Sequence, residues 1–152
     1  MSATGRLAEL GLELPVVVPP VGAYVPAVRT GDLVFTSGQL PMVAGAMAQT
    51  GLVGGPVTPE QAKLLARTCA LNALAAIDAL VGLDAVVRVV KLVGFVASAP
   101  GFTGQPGVVN GASELLGEIF GDSGRHARSA VGVLALPLDA AVEVELVVEV
   151  GG

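Results

Sequence analysis

Two neighbouring stretches constrain this chain more than any other. Residues 125–137 and 142–150 both alternate with a period of two, which a strand requires when one of its faces is buried. In the second stretch, positions 142, 144, 146, 148 and 150 are all apolar, while Glu143, Glu145 and Glu149 take three of the four odd positions. The even face is therefore core, and the odd face looks into water or into a site. Pro137 and Asp139 lie between the two stretches and read as the turn of a hairpin. The pairing that keeps Val131, Val133 and Ala135 over the core puts Arg128 on the face of the glutamates, opposite Glu149. In that register Arg128 and Glu143 lie six residues apart along the strands, roughly 20 Å at about 3.3 Å per residue. If they share a site, they come from different chains.

The remaining elements follow from start and stop signals. Residues 5–14 predict a short helix ending before Pro15, and Pro15–Pro20 an extended, proline-stiffened connector. Residues 1–20 thus form an arm lying over a single domain at 21–152. Tyr24–Arg29 and Leu33–Ser37 flank the turn Thr30-Gly31-Asp32, with Pro26 marking an edge strand. Residues 42–57 mix glycines and a proline without a period and read as a loop, as do residues 101–107. Thr58-Pro59-Glu60-Gln61 is a capping box with proline at the first helical position. The apolar spacing from Ala62 to Leu80 then predicts an amphipathic helix stopping at Gly82. Val86–Ala97 predicts a central strand, and Val108–Phe120 a second amphipathic helix closed by Gly121. The order β-β-α-β-α-β-β predicts an α+β sandwich: one mixed sheet with both helices on one face.

Composition bears on what covers the other face. Of the 152 residues, 53% are hydrophobic and 14% charged, against a charged share of about 25% in ordinary domains. One domain cannot bury that much apolar surface alone, so a large subunit interface is expected. The apolar region Val81–Ala97 is interrupted by Asp84, Arg88 and Lys91, which argues against a membrane span. No targeting segment is visible, and a cytoplasmic location is expected. A net charge of −5 with scattered basic residues argues against nucleic acid as partner. One cysteine and one histidine cannot build a conventional zinc site.

Several short motifs have bland explanations. Gly121-Asp122-Ser123-Gly124 resembles a protease nucleophile loop but suits a glycine-rich helix stop. The glycines at 101–107 lack a phosphate-loop signature, although the following helix start remains open to an anion. Cys69 falls on an apolar helix face and reads as an inert core thiol. His126 reads as surface or interface packing. Arg128 needs a partner: either an odd-face glutamate in a structural ion pair, or a ligand carboxylate held by its planar fork.

Taken together, Gly22-Ala23-Tyr24, Thr36-Ser37-Gly38-Gln39-Leu40-Pro41, Asn110, Arg128-Ser129-Ala130-Val131 and Val142-Glu143-Val144-Glu145 resemble the RidA/YjgF family. The resemblance runs from about Val21 to Val150, and the arm is similar to a longer, YjgF-like subgroup carrying an "endoribonuclease L-PSP" label. It implies a chorismate-mutase-like fold, assembled as a homotrimer with sites in the clefts between subunits. The implied activity is hydrolysis of enamine/imine intermediates such as 2-aminoacrylate and 2-iminopropanoate to 2-keto acids and ammonia, without a cofactor. Arg128 is implied to clamp the substrate carboxylate and Glu143 to activate water. Tyr24, Ser37, Gly38, Asn110 and Ala130 would line the cleft. The alternatives are a non-catalytic carboxylate-binding or regulatory trimer and, further off, an endoribonuclease. The sequence departs from the family pattern at Ala130, where many members carry cysteine, at Gly-Ala-Tyr in place of Gly-Pro-Tyr, and in longer loops at 42–57 and 98–107.

Overall fold

The computed structural model describes residues 1–152. It contains a five-stranded mixed sheet in the order β1-β2-β7-β5-β6. The strands are β1 (Ala27–Thr30), β2 (Leu33–Thr36), β5 (Val86–Ala97), β6 (Ala127–Val133) and β7 (Val142–Val150). Helices α2 (Pro59–Val81) and α3 (Gln105–Phe120) pack against one sheet face, and their buried residues form one core with Val34, Leu92, Val144 and Leu146. The expected α+β architecture is the observed one.

Local chemistry sets the element ends. Thr58 accepts from the Gln61 amide at 3.1 Å, while the Gln61 side chain accepts from the Thr58 amide at 3.0 Å, so both halves of the capping box form. By length and composition α2 resembles a membrane span, but eleven of its residues are buried against α3 and the sheet. The two helices approach closely at Gly111, where an added Cβ would overlap the Lys63 carbonyl.

The last two strands depart from the sequence reading. β6 and β7 do not form a hairpin; β5 lies between them, antiparallel to β7 and parallel to β6. The reason is the helix between β5 and β6. A parallel pair needs a crossover of a dozen or more residues, and α3 supplies it, making β5-α3-β6 a βαβ unit. The segment after β6 instead crosses the end of the sheet through a 3-10 turn, where Leu138 and Asp139 adopt positive φ. Arg128 therefore pairs with Leu92, not Glu149, and the parity of β6 is reversed. Its even residues turn toward α3, while Val131 is 44% exposed on the open face and Ala135 is exposed beyond the strand.

Smaller differences have local causes. Residues 42–57 are not all loop. β3 (Met42–Val43) and β4 (Ala46–Met47) form a hairpin whose turn residues Ala44 and Gly45 have φ 51° and 83°, as a primed turn requires. Val53 and Val57 are buried. The second long helix starts at Gln105, within the predicted loop, with Pro106 in its first turn. Helix α1 spans Ala3–Glu9, capped by Ser2, and Gly11 at φ 69° follows it. Leu7 of α1 joins the core, and Asp84 accepts from the Thr4 amide at 3.0 Å and its hydroxyl at 2.8 Å. Those two bonds hold the Asp84 carboxyl below its ordinary range.

Candidate functional site

Strand β6 carries Arg128 to the sheet edge, against α3. Its Nη1 donates to Asn110 Oδ1 at 2.7 Å and Ser113 Oγ at 3.2 Å, and its Nη2 to the Pro106 carbonyl at 3.3 Å. Asn110 and Ser113 are three residues apart on α3 and so share a helix face. Every one of these acceptors is neutral. The ion pairs of the chain are Arg6–Glu9, Arg29–Asp32, Lys63–Glu114 and Arg67–Glu118, so the pairing of Arg128 with an odd-face glutamate does not occur. A guanidinium has five N–H donors, and three serve these bonds. Nε and one Nη2 hydrogen remain, enough for the two oxygens of a carboxylate.

His126 belongs to the same network. Its Nδ1 lies 2.6 Å from the Gly124 carbonyl and its Nε2 2.9 Å from Ser113 Oγ. A carbonyl only accepts, so Nδ1 carries the proton, and in the neutral ring Nε2 accepts from Ser113. The Ser113 hydroxyl thus donates to His126 while its oxygen accepts from Arg128. Ser113 is a site neighbour the sequence does not single out, and His126 is a hydrogen-bonded member of the network and not packing alone. The spacing of Ser113 from Asn110 is legible, but only once β6 is known to lie beside α3.

Glu143 is the second residue of β7 and lies on the opposite face of the sheet. The cross-strand row Glu143–Phe95–Val131 runs over this open face, while Arg128, Leu92 and Leu146 form a row on the helix side. Within one chain Arg128 and Glu143 therefore cannot contact one small ligand. The Glu143 side chain lies over Gly38, where an added Cβ would overlap its carboxylate. Burial, and secondarily the Glu145 carboxylate, raises the Glu143 carboxyl above the ordinary glutamate value.

The other singled-out residues divide between the two faces. Ala130 stands on the Arg128 side of β6 and packs partly against the core. Ser37 lies beside Gly38, its hydroxyl donating to the Val25 carbonyl at 2.6 Å. Tyr24 accepts at its hydroxyl from the Val21 amide at 3.2 Å, and with Gly38 it lines a cavity of about 720 Å³. Burial pushes the Cys69 thiol well up, with Glu143 adding to the effect, so it is no ready thiolate. No group of three or more His, Cys, Asp or Glu side chains is arranged to hold a metal ion.

A family model described as "YjgF/chorismate mutase-like, putative endoribonuclease" matches residues 4–150. Protein TCP17 of Trypanosoma cruzi is 47% identical over 155 residues, covering 97% of this chain and 96% of TCP17. A solved "putative endoribonuclease" from Shewanella oneidensis has a TM-score of 0.95 at 32% identity, covering 99% of this chain and 100% of its own. TdcF of E. coli, solved with bound serine, has a TM-score of 0.63 at 25% identity, covering 89% and 94%. These matches extend over nearly the whole length of the chain and agree with its five-stranded sheet and two packed helices: the protein belongs to the YjgF/chorismate mutase-like family.

Proposed function

We propose that this protein is a homotrimeric imine deaminase, hydrolysing 2-imino acids and their enamine tautomers to 2-keto acids and ammonia in clefts between subunits. The observation that carries this reading is the charge of Arg128, which is oriented by three neutral acceptors and paired with no carboxylate of its own chain. A partly buried, uncompensated guanidinium is costly unless an anion arrives to use it. The serine in TdcF, a relative at 25% identity, is a small carboxylate of the expected kind.

Assembly provides the second half of the site. Val28, Phe35 and Val131 leave the open face 52%, 44% and 44% exposed, an apolar surface suited to a neighbouring subunit. In the trimer, Glu143 on the open face of one subunit meets Arg128 at the sheet edge of the next. Arg128 holds the substrate carboxylate, and Tyr24, Ser37, Gly38, Asn110 and Ala130 surround it. Glu143 takes a proton from water as the water oxygen bonds to C2 and the C=N π electrons move to nitrogen. The imine reacts as its protonated form, so this addition leaves a neutral carbinolamine. Glu143 returns its proton to nitrogen, and an oxygen lone pair closes the C=O bond as the C2–N bond breaks. The hydroxyl proton passes through Glu143 to the departing ammonia, leaving the 2-keto acid and ammonium. The electrophile is already activated, so positioning and one base suffice.

The endoribonuclease description attached to relatives fits this chain poorly, since a net charge of −5 opposes a polyanion. The test is ammonia release from 2-iminopropanoate generated in place by an amino-acid oxidase. Wild type is expected to accelerate it, and Arg128→Ala to abolish the acceleration. No acceleration by a folded wild-type trimer would refute the deaminase reading and leave a carboxylate-binding protein.

A further inference from the structure

Resting on the deaminase reading, we infer that the substrate carries a large apolar side chain, received by the cavity beneath the proline-rich arm. The cavity, about 720 Å³, is lined in part by Tyr24 and Gly38, two residues of the proposed cleft. The arm from Pro15 to Val21 forms one side, its roof, and Leu40 and Met42 also line it. That is a common volume for a small-molecule site and far more than a methyl group requires. A site serving only a three-carbon imine gains nothing from such a chamber.

The one buried polar side chain of α2 in the wall is turned away from any ligand. Asn72 lines the cavity at 1% exposure. Its Nδ2 donates to the Leu40 and Met42 carbonyls, both at 3.0 Å, which fixes the amide orientation. Its Oδ1 is the one buried side-chain oxygen or nitrogen without a hydrogen-bond partner. With its nitrogen bonded to the chain itself and its oxygen enclosed, Asn72 offers the cavity no free polar group, in keeping with an apolar occupant.

The roof is adaptable. Residues 13–20 make no backbone–backbone hydrogen bond, and Pro15, Pro19 and Pro20 have no amide hydrogen to give. Proline stiffness and apolar contact alone shape the roof, so side chains of different size are accommodated by small shifts of the arm. Beyond it, the Val21 amide bonds to Tyr24, coupling the arm to the cleft.

The experiment compares kcat/KM for imines generated from leucine and from alanine, and the affinities of 4-methyl-2-oxopentanoate and pyruvate by calorimetry. Wild type is set against Val18→Trp, which fills the cavity from a segment outside the hydrogen-bonded core. Wild type is expected to favour the larger imine and the larger keto acid roughly tenfold or more, as differences of a few methylenes allow. Val18→Trp is expected to erase that preference while keeping activity on the smaller imine. Equal handling of the two sizes by wild type, or a preference surviving in Val18→Trp, would overturn the inference. So would dissociation of the trimer by Val18→Trp, which would show the cavity to hold a neighbouring copy. If neither imine is hydrolysed, the deaminase reading fails separately, and the keto-acid affinity ratio alone decides: a large ratio supports the side-chain cavity and equal affinity overturns it.

Discussion

Arg128 Nη1 donates to Asn110 Oδ1 at 2.7 Å, and Asn110 orients the guanidinium without cancelling its charge. An aspartate at this position would keep the geometry and neutralise the fork. Asn110→Asp is therefore expected to raise KM for a carboxylate substrate about tenfold or more, since charge-assisted pairs are roughly twice as strong as neutral ones. Steady-state kinetics at fixed ionic strength check this. An unchanged KM would mean that Arg128 does not hold the substrate.

Ser113 bridges Arg128 and His126, so its loss frees both partners. Ser113→Ala is expected to raise KM about two- to tenfold with little change in kcat, the range of one hydrogen bond in free-energy terms. Circular dichroism and thermal unfolding establish that the fold is kept.

The raised Glu143 carboxyl sets a pH dependence. A base must be ionised, so activity falls as pH drops through a value above the ordinary glutamate of about 4.3. Burial is the first cause and Glu145 the second, so Glu145→Gln is expected to move the acid limb of the pH–rate profile to lower pH. For stability the sign is the reverse. The folded value lies above the unfolded one, so the favourable contribution is present below the unfolded value and lost as pH rises through the folded value. Glu143→Gln is thus expected to abolish activity and raise Tm at neutral pH.

Two glycines separate function from fold. At Gly38 an added Cβ meets the Glu143 carboxylate, so Gly38→Ala is expected to displace the base and cut kcat on the order of a hundredfold, with secondary structure unchanged. At Gly111 the obstacle is the Lys63 backbone. Gly111→Ala is expected to force α2 and α3 apart at a cost of about 1–3 kcal/mol or more, read by denaturant unfolding.

Much of the fold was legible because its signals are local. The capping box at Thr58, the apolar spacing of α2 and the alternation of β7 each fix an element without reference to the rest of the chain. The partner of β6 was not legible. Alternation gives two faces but does not say which is core, because the neighbouring strand decides that. Reading residues 125–150 as a hairpin reversed the parity of β6 and put Arg128 beside the glutamates, whereas the crossover helix places it against Asn110 and Ser113. The short hairpin at 42–47 escaped notice because two-residue strands show no period.

The proposed site joins Arg128 of one subunit to Glu143 of another. Its most direct test is mixed trimers from co-expressed Arg128→Ala and Glu143→Gln chains, each inactive alone. Random assembly puts both intact residues in about one cleft in four if they come from different subunits of a cyclic trimer. Recovery of roughly a quarter of wild-type activity is expected in the mixed population. Activity no higher than that of either variant alone would contradict it.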